Sequence, residues 1–328
     1  MTRRLSSHRR SPAAARVVPE GPLPCCLVAV PSFRVQRYAA FSTSPDGGNP
    51  AGVVLSAEGL DERTMQQIAS DVGYSETAFL TRRDASPSGT IRVRYFSPEA
   101  EVAFCGHATI AAGIALGEVE GVGAFRLMTN VGPVLLTVSR TGEGPGDITA
   151  TFESPPAGAE ALPEEHQDRL LATLGWSRAD LDPHFPPMVA TAGNRHPVLV
   201  ASQLDRLADL VYDFHALALL CREHNWTTIQ LVVPIEDRHW RSRNPFPVGG
   251  IVEDPATGAA AAALGGYLRE LGKARVGDRL LIEQGVEMGR PSTITILVGA
   301  GTVLVTGTAA AIPTGPAGGQ PSDGMSHQ

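Results

Sequence analysis

The sequence predicts an α+β protein built from two similar halves, each of which surrounds one buried helix with strands. Two stretches support this prediction. Residues 95–117, YFSPEAEVAFCGHATIAAGIALG, pass from a strand-like run through CGH at 105–107 into an almost wholly apolar helix. Later in the chain, EDPATG at 253–258 leads into an Ala-rich helix over 259–268. Because neither helix has a polar stripe, we expect both to be buried on every side.

The starts of these two helices are predicted to form the functional site. The first N–H groups of a helix have no partner within the helix, and its dipole places partial positive charge there. Each start can therefore hold a carboxylate or another anion. Gly106 and Gly258 let a ligand approach the backbone closely. Two helix starts that face one another would hold a small anionic substrate between them.

The remaining elements follow from alternation, apolar spacing and turn residues. Strands are predicted at 33–41, 51–55, 74–80, 91–96, 125–129, 134–139, 148–152, 188–191, 197–201, 229–234, 294–298 and 303–306. Besides the two central helices, helical sequence occurs at 61–71, 163–174 and within 203–223. The segment SPPAG at 154–158 is the best linker candidate.

Composition and charge favour a small-molecule partner. The 328 residues carry a net charge of −7, which gives no basic surface for nucleic acid. No uninterrupted apolar run approaches the length of about 18 residues that suggests a membrane span. Four cysteines argue against a disulfide framework, and the scattered histidines lack the spacing of a structural metal site. We predict no metal, no nucleic-acid or membrane partner, and a cytoplasmic location.

The two ends of the chain differ from its body. In residues 1–32, five arginines precede the only acid, Glu20, and three prolines interrupt the apolar part. We predict a disordered extension there, and a signal or transit peptide is the alternative. The tail over 312–328 is rich in Gly, Pro and Ser and is also predicted to be disordered.

Five stretches give the chain a resemblance to a known family. They are FSTSPDGGNPAGVVL at 41–55, YSETAFL at 74–80, the CGHAT region at 96–112, VGGIVEDPATGAAAAALGGYL at 248–268 and EQGVEMGRPS at 283–292. The chain resembles the phenazine-biosynthesis PhzF-like family, which belongs to the diaminopimelate epimerase-like fold group. Five motifs in the family's order are more specific than any single motif.

The resemblance implies two pseudo-symmetric domains, at 33–156 and 157–311. Each is a curved, mostly antiparallel sheet or barrel around a central helix, and the last strand can return to the first domain. The resemblance also implies a homodimer and chemistry that needs no cofactor.

Glu76, in the SET sequence at 75–77, is the candidate general acid/base. It stands at the start of an otherwise apolar strand, where partial desolvation would suit a carboxyl group that accepts and donates a proton. From the residues alone, a solvated carboxylate at a strand end is the alternative. The resemblance implies that the acid of this motif is the general acid/base.

His107 and Asp254 are the other two predicted catalytic residues. From the residues alone, His107 is either a cap or packing residue at a helix start, or a group that donates a hydrogen bond or passes a proton. Asp254 is either a capping acid before Pro255 or a functional carboxylate. The resemblance implies that His107 lines the active site and that Asp254 binds and positions the substrate.

Five further residues are predicted to bind substrate. Gly106, Thr257 and Gly258 would offer backbone N–H groups to a carboxylate or oxyanion, although close helix packing also explains the glycines. Asn49, in the GGNP loop, either fixes the rim of a loop or touches substrate. Ala259 stands where many members of the family carry a serine, so the hydrogen bond from that hydroxyl is absent here. This departure weakens any claim to the phenazine precursor itself.

The cysteines disfavour a two-thiol racemase. Epimerases of this fold use two opposed thiols, and here Cys105 occupies the first position while the region of Pro255 contains no thiol. We therefore interpret Cys105 as a packing residue.

The predicted function is a cofactor-independent isomerase that moves a proton on a small carboxylated substrate. By resemblance, the reference reaction is the isomerisation of trans-2,3-dihydro-3-hydroxyanthranilate. The alternatives are an epimerase, racemase or dehydratase of amino or hydroxy acids, and a catalytically idle protein that binds a small ligand.

Overall fold

The computed structural model describes residues 33–82, 89–142, 144 and 147–313. The predictions of disorder for 1–32 and for the tail beyond 313 lie outside these residues. Within them the helices are α1 (Glu62–Val72), α2 (Gly106–Glu120), α3 (Glu164–Leu174), α4 (Leu204–Ala208), α5 (Phe214–His224) and α6 (Gly258–Glu270). The strands are β1 (Gln36–Ala40), β2 (Asn49–Val54), β3 (Glu76–Arg82), β4 (Ile91–Phe96), β5 (Glu101–Val102), β6 (Gly123–Thr129), β7 (Gly132–Arg140), β8 (Ile148–Glu153), β9 (Ala157–Ala161), β10 (Met188–Ala192), β11 (Arg195–Val200), β12 (Gln230–Glu236), β13 (His239–Arg243), β14 (Pro245–Phe246), β15 (Ile251–Glu253), β16 (Arg279–Gln284), β17 (Ser292–Val298), β18 (Val303–Gly307) and β19 (Ala309–Ala311).

Most of these strands join in one mainly antiparallel sheet. It contains 17 of the strands in the described part of the chain, while β14 and β15 pair separately. Near the end of the chain, β18 pairs with β8 and β19 pairs with β1, so the last strands lie beside strands of the first half. The domain boundary between residues 156 and 157 stays a prediction.

The sheet curves around two central helices. Helix α2 packs against β1, β2, β3, β7, β8 and β19, and α6 packs against β9, β10, β11, β17 and β18. Every residue of α2 from His107 to Gly117 is buried, and so is every residue of α6 from Ala260 to Leu268. The predicted α+β fold, with a curved, mostly antiparallel sheet around each central helix, is therefore confirmed.

Small residues allow the central helices to approach the sheet closely. A Cβ atom added at Gly113 would lie 2.6 Å from the Cβ of Ala150, and one added at Gly117 would lie 2.7 Å from Val138 Cγ1. Larger side chains at these positions would force the helix away from the strands, and overpacking of this kind typically destabilises a core by about 1 to 3 kcal/mol. The small residues of α2 are therefore needed because this helix packs closely against the strands around it.

Some elements differ from the sequence prediction. The helical stretch within 203–223 is broken into α4 and α5, and Asp213 caps α5 by accepting a hydrogen bond from the Ala216 N–H at 2.9 Å. Strand β9 begins at Ala157, inside the segment predicted as a linker. Strand β13 escaped prediction because two of its three buried positions, Ser242 and Arg243, are polar and only the third, Trp240, is apolar. No helix in the described ranges is long and apolar enough to cross a membrane.

Candidate active site

The two central helices meet at their starts. A Cβ atom added at Gly106 would lie 3.8 Å from the Cα of Gly258. The residues that precede the helices, Cys105 and Thr257, make no side-chain capping bond to them. The first three N–H groups of each helix therefore have no partner from a cap or from the helix itself. Both starts keep the donors and the partial positive charge that bind anions.

A cavity of about 570 Å³ opens at this meeting point. Residues from both halves of the chain line it, which is the usual setting for a small-molecule site. The predicted site residues that line it are Glu76, Gly106, His107, Asp254, Thr257, Gly258 and Ala259. The structure thus brings together seven residues that the sequence separates by up to 183 positions, from 76 to 259.

Three side chains from the first half form a close cluster. Glu76 is the first residue of β3, and its Oε2 lies 3.3 Å from His107 Nε2. The Sγ of Cys105 lies 3.5 Å from the same carboxylate oxygen and 3.3 Å from His107 Nδ1. Both Glu76 and His107 are largely buried, with 16% and 7% of their side chains exposed. Cys105 therefore does more than pack, because it also contacts the candidate acid/base.

The contacts of His107 indicate its tautomer. Its Nδ1 lies 3.2 Å from the donor Asn49 Nδ2, while its Nε2 lies 3.3 Å from both Glu76 Oε2 and Ser75 Oγ. The single hydrogen of the Cys105 thiol lies between two acceptors, Glu76 Oε2 and His107 Nδ1. Burial, reinforced by the charge of Glu76, raises the pKa of this thiol well above its usual value, so the thiol stays protonated. Burial also lowers the pKa of His107. A neutral imidazole with Nδ1 as acceptor carries its proton on Nε2, which then points at Glu76.

Asp254 is the buried carboxylate of the second half. Its Oδ1 accepts from Asn49 Nδ2 at 2.7 Å, and its Oδ2 accepts from Thr257 Oγ1 at 2.5 Å. Burial raises its pKa to about 7, the hydrogen bond from Thr257 opposes this shift, and the charge of Glu76 adds to it. Asp254 therefore changes its charge near neutral pH, and the two carboxyl groups influence one another.

Asn49 lies behind the cavity wall and ties the two halves together. Its Nδ2 carries two hydrogens and lies within bonding distance of His107 Nδ1, Asp254 Oδ1 and, at 3.1 Å, the carbonyl of Ala256. It is almost completely buried and is not among the residues that line the cavity. Of the two interpretations drawn from the sequence, this position favours the one without a direct contact to substrate.

The EQGVEMGRPS stretch holds both loops in place. Gln284 donates from Nε2 to the Asp254 carbonyl at 2.7 Å, and its Oε1 accepts from the Thr257 N–H at 3.2 Å. Arg290 donates to the carbonyls of Gly47 and Gly48, at 2.6 and 2.9 Å, and so fixes the loop that precedes Asn49. The motif therefore supports the site from behind the cavity.

The cluster of Glu76, Cys105 and His107 also has the donor types of a metal site. One ligand atom from each of these residues lies within 4.8 Å of the other two. The raised pKa of the Cys105 thiol opposes binding, since a metal binds the thiolate. The absence of a metal stays a prediction.

Sequence reasoning missed the residues that the strands of the second half contribute to the cavity. Among them are His196 from β11 and Thr228, which precedes β12. The available signal was a histidine at the head of an otherwise apolar buried strand, RHPVLV. A single histidine in such a strand is too weak a signal to identify a site without the fold.

This architecture defines a class of protein in which two helices, each inside its own part of a curved sheet, present their open starts to one cavity. The family model described as "Phenazine biosynthesis-like protein" matches residues 38–315. The chain therefore belongs to the phenazine biosynthesis-like protein family, as its motifs suggested.

Individual relatives agree with this assignment. The uncharacterized isomerase YfhB of Bacillus subtilis is 32% identical over 272 residues, which cover 80% of this chain and 89% of that protein. The trans-2,3-dihydro-3-hydroxyanthranilate isomerase of Pseudomonas aeruginosa is 33% identical over 301 residues, covering 86% and 99%. The crystal structure of the Bacillus anthracis phenazine biosynthesis protein of the PhzF family matches with a TM-score of 0.74 and 26% identity, covering 85% and 96%. The prediction of a PhzF-like isomerase is confirmed at the level of the family.

Proposed function

We propose that this protein is an isomerase that moves a proton on a small carboxylated substrate without a cofactor. The observation that carries the proposal is the cluster at the cavity wall, where Glu76 Oε2 lies 3.3 Å from His107 Nε2 beside two open helix starts. A carboxylate held by a neutral histidine is a suitable proton acceptor, and the helix starts are suited to a substrate carboxylate.

In the proposed reaction, the substrate carboxylate lies against the N–H groups that begin α2 and α6. Glu76 removes a proton from a carbon of the substrate and returns it to another carbon, which shifts a double bond. Negative charge that develops on the substrate is stabilised by the same N–H groups, which are already oriented before the reaction. His107 and Asp254 hold the polar groups of the substrate in the reactive arrangement. The balance requires no redox partner, because one proton leaves the first carbon and one proton is added to the second, and the proton on Glu76 can exchange with solvent between the two steps.

The relatives suggest the first substrate to try. One of them is named trans-2,3-dihydro-3-hydroxyanthranilate isomerase, and we propose that compound or a related cyclic acid for this chain. The resemblance also supports a homodimer, which sedimentation velocity would test.

A ligand-binding protein without catalysis is the second candidate. Ala259 favours it, because its methyl group lines the cavity where many family members offer a hydroxyl. The clustered Glu76, His107 and Asp254 favour the isomerase, since a protein that only binds has no need for a carboxylate poised against a neutral histidine.

Proton exchange distinguishes the two candidates. The protein is incubated in deuterated water with a panel of cyclic and linear amino and hydroxy acids, including the phenazine precursor, and substrate C–H signals are followed by NMR. Glu76→Gln is the test variant, and Glu236→Gln, at the exposed end of β12, is the matched control. Exchange by the wild type and the control alone supports the isomerase. Equal exchange by Glu76→Gln contradicts the role of Glu76, and binding without exchange favours the ligand-binding protein.

A further inference from the structure

His196 is a buried histidine that the proposed reaction does not use. It lies in β11, has no exposed surface and is among the residues that line the cavity. Its Nδ1 lies 2.9 Å from Thr228 Oγ1. Its Nε2 is buried and has no hydrogen-bond partner among the described residues.

A chain of buried hydrogen bonds sets the tautomer of this histidine. Thr228 Oγ1 donates to Asn244 Oδ1 at 3.0 Å, so its single hydrogen is committed and it accepts from His196 Nδ1–H. The Nδ2 of Asn244 donates to Ser242 Oγ at 3.0 Å, which fixes the orientation of the amide. His196 Nε2 is therefore left with a lone pair and no hydrogen.

The same chain connects His196 to the second half of the candidate site. The carbonyl of Asn244 accepts from the Asp254 N–H at 3.0 Å. Burial lowers the pKa of His196 to about 4, so the ring is neutral at pH 7 and its Nε2 acts only as an acceptor.

An unpaired acceptor in this position calls for a physical reason. Buried polar groups in folded proteins nearly always have partners, and a buried one without a partner is destabilising. The residues that follow in β11, from Pro197 to Val200, are all buried, so an apolar side chain at position 196 would suit the strand better. A ligand in the cavity that donates a hydrogen bond to Nε2 would remove this cost, although Nε2 has almost no exposed surface, so the side chains between it and the cavity must move to admit the donor.

We infer that His196 is a specificity-determining residue whose Nε2 accepts a hydrogen bond from a hydroxyl or amino group of the substrate. The inference rests on the proposed function in one respect, namely that the substrate occupies this cavity with its carboxylate at the helix starts. It narrows the substrate class to acids that also carry a hydrogen-bond donor, that is, hydroxy or amino acids. A simple carboxylic acid without a donor leaves Nε2 unpaired and is disfavoured, because a site built to bond a polar group discriminates against analogues that lack it.

Binding of matched compounds tests the inference separately from catalysis. The full chain with Glu76→Gln, which prevents turnover, is titrated with benzoate, 3-hydroxybenzoate and anthranilate by calorimetry. We expect at least one of the two donor-bearing acids to bind about 5- to 100-fold more tightly than benzoate, the range of one hydrogen bond to a buried group. Adding His196→Leu should abolish this preference and leave benzoate within about twofold, whereas His196→Gln, which restores an acceptor, should retain part of it.

A second variant keeps the test valid if His196→Leu does not fold. Thr228→Val removes the acceptor of Nδ1–H, which frees the ring to take the other tautomer, and it should lower the preference in the same direction. The ¹⁵N shifts of the His196 ring in the wild type provide an independent readout, because the inference requires a neutral Nδ1–H tautomer. A proton on Nε2 overturns the inference.

The remaining outcomes are also decisive. Equal affinities for all three acids, or failure of the Glu76→Gln protein with His196 intact to bind any of them, overturn the inference. Selective binding that depends on His196, combined with no proton exchange on any compound, leaves the inference standing and contradicts the proposed isomerase. Proton exchange that depends on Glu76, without a binding preference that depends on His196, supports the proposed isomerase and overturns the inference.

Discussion

The starts of α2 and α6 are similar in backbone and different in side chains. Both begin at a glycine without a side-chain cap, both belong to helices buried on every side, and they meet at one cavity. Around the start of α2 stand Glu76, Cys105 and His107, whose polar atoms contact one another directly. Around the start of α6, Asp254 is occupied by hydrogen bonds from Asn49 and Thr257.

This difference separates proton transfer from binding. A carboxylate oxygen that faces the cavity beside a neutral imidazole can exchange a proton with a ligand. A carboxylate with both oxygens engaged by protein donors is better suited to hold a loop and a ligand in position. The two similar helix starts therefore supply the same anion-binding backbone N–H groups. The side chains near α2 are suited to proton transfer, and those near α6 are suited to binding.

Removal of the Glu76 carboxylate should give the largest effect on activity. Glu76→Gln is expected to lower kcat by about 10² to 10⁴, the usual contribution of a general acid or base, while KM changes by only about a few-fold. Steady-state kinetics on a substrate found by the exchange screen provide the measurement. For comparison, Asp254→Asn should raise KM more than it lowers kcat. If the two variants exchange these signatures, the assignment of roles to the two halves is wrong.

The pKa of Asp254 makes a separate prediction about stability. The folded state raises the pKa of this carboxyl group from 3.8 to about 7, so it holds the proton more tightly than the unfolded chain does. The stabilisation from that proton is complete below about pH 3.8 and is lost as the pH rises to about 7. Asp254→Asn has no proton to lose. The wild type therefore loses stability between pH 4 and pH 7, whereas Asp254→Asn does not. The free energy of unfolding of the variant minus that of the wild type should increase over this range by on the order of 1 to 4 kcal/mol.

Urea denaturation of both proteins across this pH range provides the measurement. Asp237→Asn is the control, since that carboxylate is 97% exposed and should add no pH dependence. A constant difference between Asp254→Asn and wild type would mean that Asp254 is already ionised at pH 4, and that its hydrogen bonds outweigh its burial.

Asn49 tests the connection between the two helix starts. Asn49→Ala removes the amide donor shared by His107 and Asp254 and should lower kcat/KM by about 10- to 100-fold, as expected when buried groups lose a partner. Asn49→Asp should be worse, because it places a carboxylate beside Asp254 instead of a donor. The pH profile of kcat/KM should also shift for both variants, which a purely structural defect would not produce. Equal activity of the Ala and Asp variants contradicts the role as donor.

The sequence was enough to predict the elements with regular patterns and the residues in specific motifs. Strand β4 was predicted with its observed bounds at 91–96, because its apolar and polar residues alternate over the whole strand. The two central helices were predicted as buried because they lack a polar stripe, and the structure agrees. The residues predicted from the CGHAT and EDPATG motifs all line one cavity. Each motif could be recognised from the sequence because its residues are adjacent in the chain.

What the sequence could not show depends on contacts between distant segments. Strand β13 is hidden because its buried Arg243 is paired with Glu253 at 2.6 Å, a compensation that no local pattern reveals. The contact of Cys105 with Glu76 depends on how α2 packs beside β3. His196 becomes significant only when Thr228 and Asn244, more than 30 and 40 positions away, are seen to fix its tautomer.

The smallest predicted effect concerns Ala259, in the first turn of α6. Ala259→Ser adds a hydroxyl to the cavity wall beside the open N–H groups of this helix, where it can donate to a bound carboxylate. We expect benzoate to bind about 2- to 10-fold more tightly, as one added hydrogen bond implies, with kcat for a turned-over substrate changed by less than about twofold. Ala259→Cys is the matched control, because a thiol of similar size is only a weak donor. Tighter binding by both variants would point to added contact area. No tightening by serine would mean that the carboxylate does not reach the start of α6, and the two helix starts would then differ in their backbone role as well as in their side chains.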